Sequence, residues 1–217
     1  MARKTKENPF RLPAALLLAF GLWTAGVCLL DVRAIGPMGT NVGLAFLNGP
    51  FHDWTSVHFS LYTLTDWLGL VPIGICGAFG LLGLAQWVRR KQLRKVDGDL
   101  LLLGGFYGVV MGCFLLFELF PVNHRPVLIE GRLEASYPSS TTLLAMCVLP
   151  TAWMQLRRRI RHPWLLRLAA GAIWGLTALL VVGRVFSGVH WISDIIGGGL
   201  LSAGLVTLYG ALIKTKA

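Results

Sequence analysis

Six stretches of this chain are long and apolar enough to cross a lipid bilayer, at roughly 12–30, 67–88, 100–120, 140–156, 164–183 and 192–213. A bilayer core asks for about 20 mostly apolar residues per helix, and it offers no water to unpaired backbone groups, so such runs become helices. The expected fold is an all-α membrane protein, a bundle of six transmembrane helices that forms one domain over residues 1–217. Composition agrees, with 55% hydrophobic and only 14% charged residues.

The net charge of +10 reads as topology. Nucleic-acid binding would need the cations gathered on a soluble face, whereas here they lie in short clusters between the apolar runs. Arg3, Lys4, Lys6 and Arg11 precede the first span, Arg89 to Lys95 follow the second, RRRIRHPWLLR follows the fourth, and Lys214 and Lys216 close the chain. Sixteen of the twenty cations then share one side, leaving Arg33, Arg125, Arg132 and Arg184 on the other. Under the positive-inside rule both termini are cytoplasmic, and loops 31–66, 121–139 and 184–191 face outward. Trp87, Trp153 and Trp164 fall near inner span ends and Trp67 and Trp191 near outer ones, as an interfacial belt requires.

The first run is longer than a signal-peptide core and no small-residue cleavage site follows it, so it is expected to be a retained helix. Loop 31–66 is long enough to hold a short interfacial helix. Cys28, Cys76, Cys113 and Cys147 lie within spans without C-x-x-C spacing, which points to packing rather than to disulfides or zinc. Gly104, Gly108 and Gly112, and again Gly171 and Gly175, repeat every four residues, a spacing expected to mark close helix contacts within the chain.

Ionisable groups at membrane depth are costly, so their default reading is functional. GRVFSGVHWISD (183–194) holds Arg184, His190 and Asp194 at spacings of six and four. A helix starting near Val189 would bring the Asp194 carboxylate to a ring nitrogen of His190, one turn away. That fixes the tautomer and frees the other nitrogen to attack. ELFPVNHRP (118–126) and EASYPSSTT (134–142) are expected on the same side. They add Arg125, whose planar fork matches phosphate oxygens, and Ser139, Ser140 and Thr141 after Pro138, a composition suited to a helix cap and to an anion site alike.

These three stretches resemble the motifs of the type 2 phosphatidic acid phosphatase superfamily, whose members are integral-membrane lipid phosphatases or soluble acid phosphatases and haloperoxidases. The family pattern is K-x6-R-P, P-S-G-H and S-R-x5-H-x3-D, and the likeness covers about residues 55–210. The resemblance implies that His190 is the nucleophile forming a phosphohistidine and Asp194 its orienting partner. It also implies that Arg125 and Arg184 clamp phosphate oxygens, with Ser139 and the amide of Ser140 holding the phosphoryl group.

Three positions depart from that pattern: Glu118 stands for the lysine, Gly183 for the serine before Arg184, and Ser140 with Thr141 for the glycine and histidine. The family's histidine at position 141 protonates the leaving group, which a threonine hydroxyl is too basic to do. Thr141, Glu134, Glu130 and His124 are the candidates for a substitute acid or polar contact. A pyrophosphate, whose leaving group needs little protonation, is then favoured over a monoester.

The expected activity is a metal-independent lipid phosphatase or pyrophosphatase at the extracytoplasmic face of a cell membrane. It would act on an isoprenoid pyrophosphate such as undecaprenyl pyrophosphate, or on a phosphatidic-acid-type lipid. Its partners are the lipid substrate and membrane lipids, with no cofactor, no nucleic acid, and homo-oligomerisation left open. The alternative is a family member without turnover that binds or transports phospholipids.

Overall fold

The computed structural model describes residues 8–216, over which the regular structure is helical, with short 3-10 turns and isolated bridge pairs in the connecting loops. Eight α-helices follow one another among the described residues: α1 (Arg11–Leu29), α2 (Ala45–Thr55), α3 (Phe59–Leu68), α4 (Leu70–Arg90), α5 (Gly98–Leu119), α6 (Ser140–Arg159), α7 (Pro163–Ser187) and α8 (Ile192–Lys216). Five stretches are long and apolar enough to cross a membrane: α1, α3 continued into α4, α5, α7 and α8. The expected run at 140–156 becomes α6, 20 residues long. Its opening Ser-Thr-Thr, Gln155 and its closing arginines keep it below that apolarity.

Gln155 and Thr151, two buried polar residues of α6, are paired within the bundle. The Gln155 amide donates to Tyr209 of α8 at 2.5 Å, and Thr151 donates back to the carbonyls of Cys147 and Val148. Leu103 and Phe106 of α5, Leu143 and Cys147 of α6, and Leu201 and Tyr209 of α8 form the main core. α8 is the central helix: 56% of its apolar stretch is buried, against 6% for the α3–α4 stretch. α1 packs along α8, where a Cβ on Gly204 would come within 2.7 Å of the Leu17 side chain.

Several expectations need correction. The second span begins earlier than residue 67, because α3 runs into α4 through a break at Gly69, and α2 occupies the middle of the 31–66 loop. The regularly spaced glycines do not mediate contacts: a Cβ at Gly104, Gly108, Gly112, Gly171 or Gly175 would meet nothing within 4 Å. The faces of α5 and α7 that carry them are exposed, so spacing alone did not identify a partner helix. Of the cysteines, Cys147 is buried in the core, whereas Cys28 is exposed. Trp67, Trp87 and Trp164 are exposed as a belt requires, but Trp191 is buried and its indole donates to the His124 carbonyl at 2.8 Å.

Charges divide the bundle into two ends. The C-termini of α4 and α6 meet the N-terminus of α5, where Arg90 pairs with Asp97 at 3.0 Å and Arg159 with Asp99 at 3.1 Å. Cations in the last turns of α4 and α6 also suit the negative helix ends. Arg3, Lys4, Lys6 and the Lys216 side chain, which the charge pattern assigned to this end, lie outside the described residues. At the opposite end, a helix length away (about 37 Å for the 25 residues of α7 at 1.5 Å per residue), lie the α5–α6 and α7–α8 connections.

Candidate active site

α7 extends to Ser187, so Arg184 sits in its last turn rather than in a loop. Gly188 ends the helix with φ +67, a left-handed conformation that favours glycine. A Cβ there would also lie 1.8 Å from the carbonyl oxygen of Ser56. The tight turn presents His190 before α8 begins at Ile192, which corrects the expectation of a helix from Val189. Because His190 precedes the helix, the one-turn relation to Asp194 does not hold, and His190 Nδ1 is 3.8 Å from Asp194 Oδ2. That is beyond hydrogen-bond length.

A serine fills the gap. Ser136 Oγ lies 3.0 Å from His190 Nδ1 and donates to Asp194 Oδ2 at 2.5 Å. The Asp194 carboxylate also accepts from the backbone N–H of Trp191 (3.0 Å), the Asn123 amide (3.3 Å) and the Ser193 hydroxyl (3.4 Å). Ser136 is placed by the α5–α6 connection, which folds back on itself as a hairpin. Its N–H bonds the Asn123 carbonyl at 2.9 Å, and that of Arg125 bonds the Glu134 carbonyl at 3.0 Å. Glu130 (φ 49) and Gly131 (φ 75) make the hairpin's turn.

Two guanidinium groups share one aromatic platform. The Arg184 and Arg125 guanidinium carbons lie 4.8 and 5.7 Å from the Tyr62 ring centroid. Arg184 is buried, and its Nη2 donates to Asp66 Oδ1 at 2.9 Å. Arg125 lies beside Glu134, with 3.0 Å between Nε and Oε2 but without hydrogen-bond geometry. α3 lies close enough to α7 that a Cβ at Gly183 would approach the Thr65 methyl to 2.4 Å. Thr65 therefore occupies the space a serine at position 183 would need.

Among the described residues, seven buried side-chain nitrogens and oxygens lack a protein partner, and five are Nε and Nη1 of Arg125, Nε and Nη1 of Arg184, and Nε2 of His190. Unpaired buried polar groups each cost about 1–3 kcal/mol, and the four arginine donors gathered here are groups that an anion could satisfy. Burial first, and then the Arg125 charge, hold the His190 imidazole down to about 4, so that it is neutral near pH 7.

A cavity of about 230 Å³ opens here, and its lining includes His190, Arg125, Ser136, Ser140, Glu118 and Glu134, with Phe114, Phe117 and Leu143 as an apolar wall. The other expected residues stand elsewhere. Ser139 is buried as the N-cap of α6, its hydroxyl accepting from the Thr142 N–H at 3.5 Å and its N–H donating to the Asp194 carbonyl at 3.1 Å. Thr141 turns its methyl group toward Gly69 at the α3–α4 break. Glu130 is committed to the hairpin turn, and His124 contributes its carbonyl to Trp191. None of these four lines the cavity, nor do Arg184 and Asp194, which stand behind its wall beside Arg125 and His190. Sequence reasoning missed Ser136, Tyr62, Asp66 and Asn123, which lie in the loops and in α3 without a spacing that ties them to His190.

No curated protein sequence matches the chain. A crystal structure described as the first transmembrane PAP2 type phosphatidylglycerolphosphate phosphatase from Bacillus subtilis is similar in fold, with a TM-score of 0.65 at 18% identity. The match covers 95% of this chain and 98% of that one. The sequence pattern of the PAP2 superfamily matches residues 120–216, the segment that carries Arg125, Ser136, Arg184, His190 and Asp194. The likeness to the PAP2 superfamily is thus carried by residues 120–216, a little under half of the chain, and the solved structure adds a likeness of fold.

Proposed function

We propose that the protein is a lipid phosphatase or pyrophosphatase of six membrane spans, with α6 as the sixth, whose site lies on the extracytoplasmic side. The observation that carries the chemistry is the set of five unpaired buried nitrogens on His190, Arg125 and Arg184. The two arginines grip the phosphoryl oxygens and neutralise the charge that builds up on them, a role that suits guanidinium without a metal. The Nε2 lone pair of His190 forms the N–P bond as the P–O bond to the lipid breaks, and the leaving oxygen departs with the electron pair. Water then attacks phosphorus, the N–P electrons return to Nε2, the water proton passes to solvent, and phosphate is released.

The apolar wall of Phe114, Phe117 and Leu143 beside the charged groups suits a substrate with a lipid tail. With Thr141 outside the cavity lining, protonation of the leaving group falls to Glu118 or Glu134, of which Glu134 is held beside Arg125. That arrangement favours a leaving group of low basicity, hence a lipid pyrophosphate such as an isoprenoid pyrophosphate, over an alkoxide. The Bacillus subtilis neighbour, a phosphatidylglycerolphosphate phosphatase, keeps phospholipid monoesters in the panel of substrates. Phosphate release by detergent-purified protein from lipid monoesters and pyrophosphates is the test. Wild type is expected to release phosphate and His190→Ala to release none, whereas equal release by both would remove His190 as nucleophile. Reversible lipid binding without release would favour the non-catalytic alternative.

A further inference from the structure

The contacts between His190 and Asp194 leave a chemical question that the two residues alone do not answer. Their nearest approach, 3.8 Å, carries no hydrogen bond, yet His190 Nε2 is the nitrogen left without a partner. An imidazole attacks through Nε2 only if its proton sits on Nδ1. Some acceptor must hold that proton, and Ser136 Oγ, at 3.0 Å, is the hydrogen-bond partner of Nδ1.

The direction of the chain of hydrogen bonds follows from counting protons. A serine hydroxyl has one hydrogen and two lone pairs. Its other neighbour, Asp194 Oδ2, already accepts from the Trp191 N–H, and Asp194 Oδ1 accepts from Asn123 and Ser193, so the carboxylate is surrounded by donors. The Ser136 hydrogen therefore points to Asp194, and Oγ can only accept from His190. We infer that Ser136 is a positioning residue, a hydroxyl relay that transmits the Asp194 charge to His190 and fixes the Nδ1–H tautomer. Both residues are buried, and the Ser136 backbone is tied to Asn123 at 2.9 Å, so the hydroxyl is held in place by the hairpin rather than by chance rotation. As Nε2 bonds to phosphorus and the ring becomes positive, the Nδ1–H bond to Oγ and the Oγ–H bond to the carboxylate both strengthen, with no proton changing owner.

The inference rests on the proposed function for its kinetic consequence but not for its geometric one, and two readouts separate them. With 15N-labelled histidine, the His190 signals are assigned as those lost in His190→Ala. Wild type at neutral pH is expected to show a single tautomer protonated at Nδ1. Ser136→Ala, which removes one oxygen, is expected to show a mixture of tautomers, and Ser136→Thr, which keeps the hydroxyl, a return toward the wild-type signal. In turnover, Ser136→Ala is expected to lower kcat roughly 10- to 100-fold, the range seen when the hydrogen-bond partner of a metal-bound imidazole is removed, while KM moves less than about twofold. A Ser136→Ala protein that keeps the wild-type tautomer and kcat would overturn the relay, leaving Asp194 to act alone. If His190→Ala retained turnover, the phosphatase mechanism would fall, and the tautomer spectra would still decide the role of Ser136.

Discussion

The two ends of the bundle both pair arginines with acidic residues but differ in how many buried donors they leave unmatched. At one end, Arg90 and Arg159 are matched to Asp97 and Asp99, and Asp97 is further held by Gln86, whose amide donates to it at 2.7 Å. At the other, Arg125 and Arg184 are more deeply buried, stack on the same tyrosine, and keep four nitrogens between them without a partner. Both site arginines also have an acidic neighbour, Asp66 for Arg184 and Glu134 for Arg125, yet most of their buried donors lack a hydrogen-bond acceptor, which is a costly state for the folded chain.

Truncating an arginine at the site end breaks this contrast most sharply. Arg184→Ala is expected to lower kcat/KM by about 10²–10³, the scale of losing one preorganised donor to a developing oxyanion. Arg184→Lys is expected to recover little of it, because an ammonium cannot reproduce the fork that is held by Asp66 and stacked on Tyr62. Steady-state kinetics on the best substrate of the panel measures both.

The pH profile is the next largest effect. In the proposed mechanism the neutral imidazole is the reactive form, and burial and the Arg125 charge hold it down to about 4, below the ordinary 6.5. The acid limb of kcat/KM is therefore expected near pH 4. Arg125→Gln removes a cation that lowers the value and is expected to move the limb upward toward 6.5. The same shift acts on stability. Between 6.5 and 4 the unfolded chain takes up a proton that folded His190 refuses, so this contribution is present above 6.5 and is lost as pH falls through that window. A limb that stays near 6.5 in wild type would contradict the buried, arginine-facing environment.

Smaller effects come from charges nearer water. Glu118 is exposed at the cavity, where the family pattern has lysine. Glu118→Lys is expected to lower KM by up to about fivefold, since one exposed charge interaction is worth about 0.2–1 kcal/mol. Arg159→Ala, at the opposite end, is expected to leave kcat and KM unchanged and to cost no more than about 1 kcal/mol of stability, because its pair with Asp99 is about one-quarter exposed. A loss of activity in Arg159→Ala would erase the distinction between the ends.

Apolar runs foretold the long helices to within a few residues at most ends, because a bilayer-length helix is dictated by composition. The convergence of Arg125, Arg184 and His190 was also legible, since three polar stretches at neighbouring span ends have to meet. The α3–α4 continuation was hidden because Thr63, Thr65 and Asp66 read as loop residues, although Thr63 and Thr65 return their hydroxyls to carbonyls one turn back. The glycine spacing misled because a repeat shows which residues share a face and not what that face meets. The His190–Asp194 relation was drawn one helical turn too early. The start of α8 depends on the Gly188 turn, and the missing link, Ser136, comes from a hairpin 54 residues away.

Trapping the phosphorylated protein tests the central claim most directly. Acid-labile, base-stable phosphate is expected on the purified chain after rapid quenching with labelled lipid pyrophosphate, mapping to the peptide that contains His190 and absent from His190→Ala. Turnover with no label on His190, or label retained in the His190→Ala chain, would contradict it.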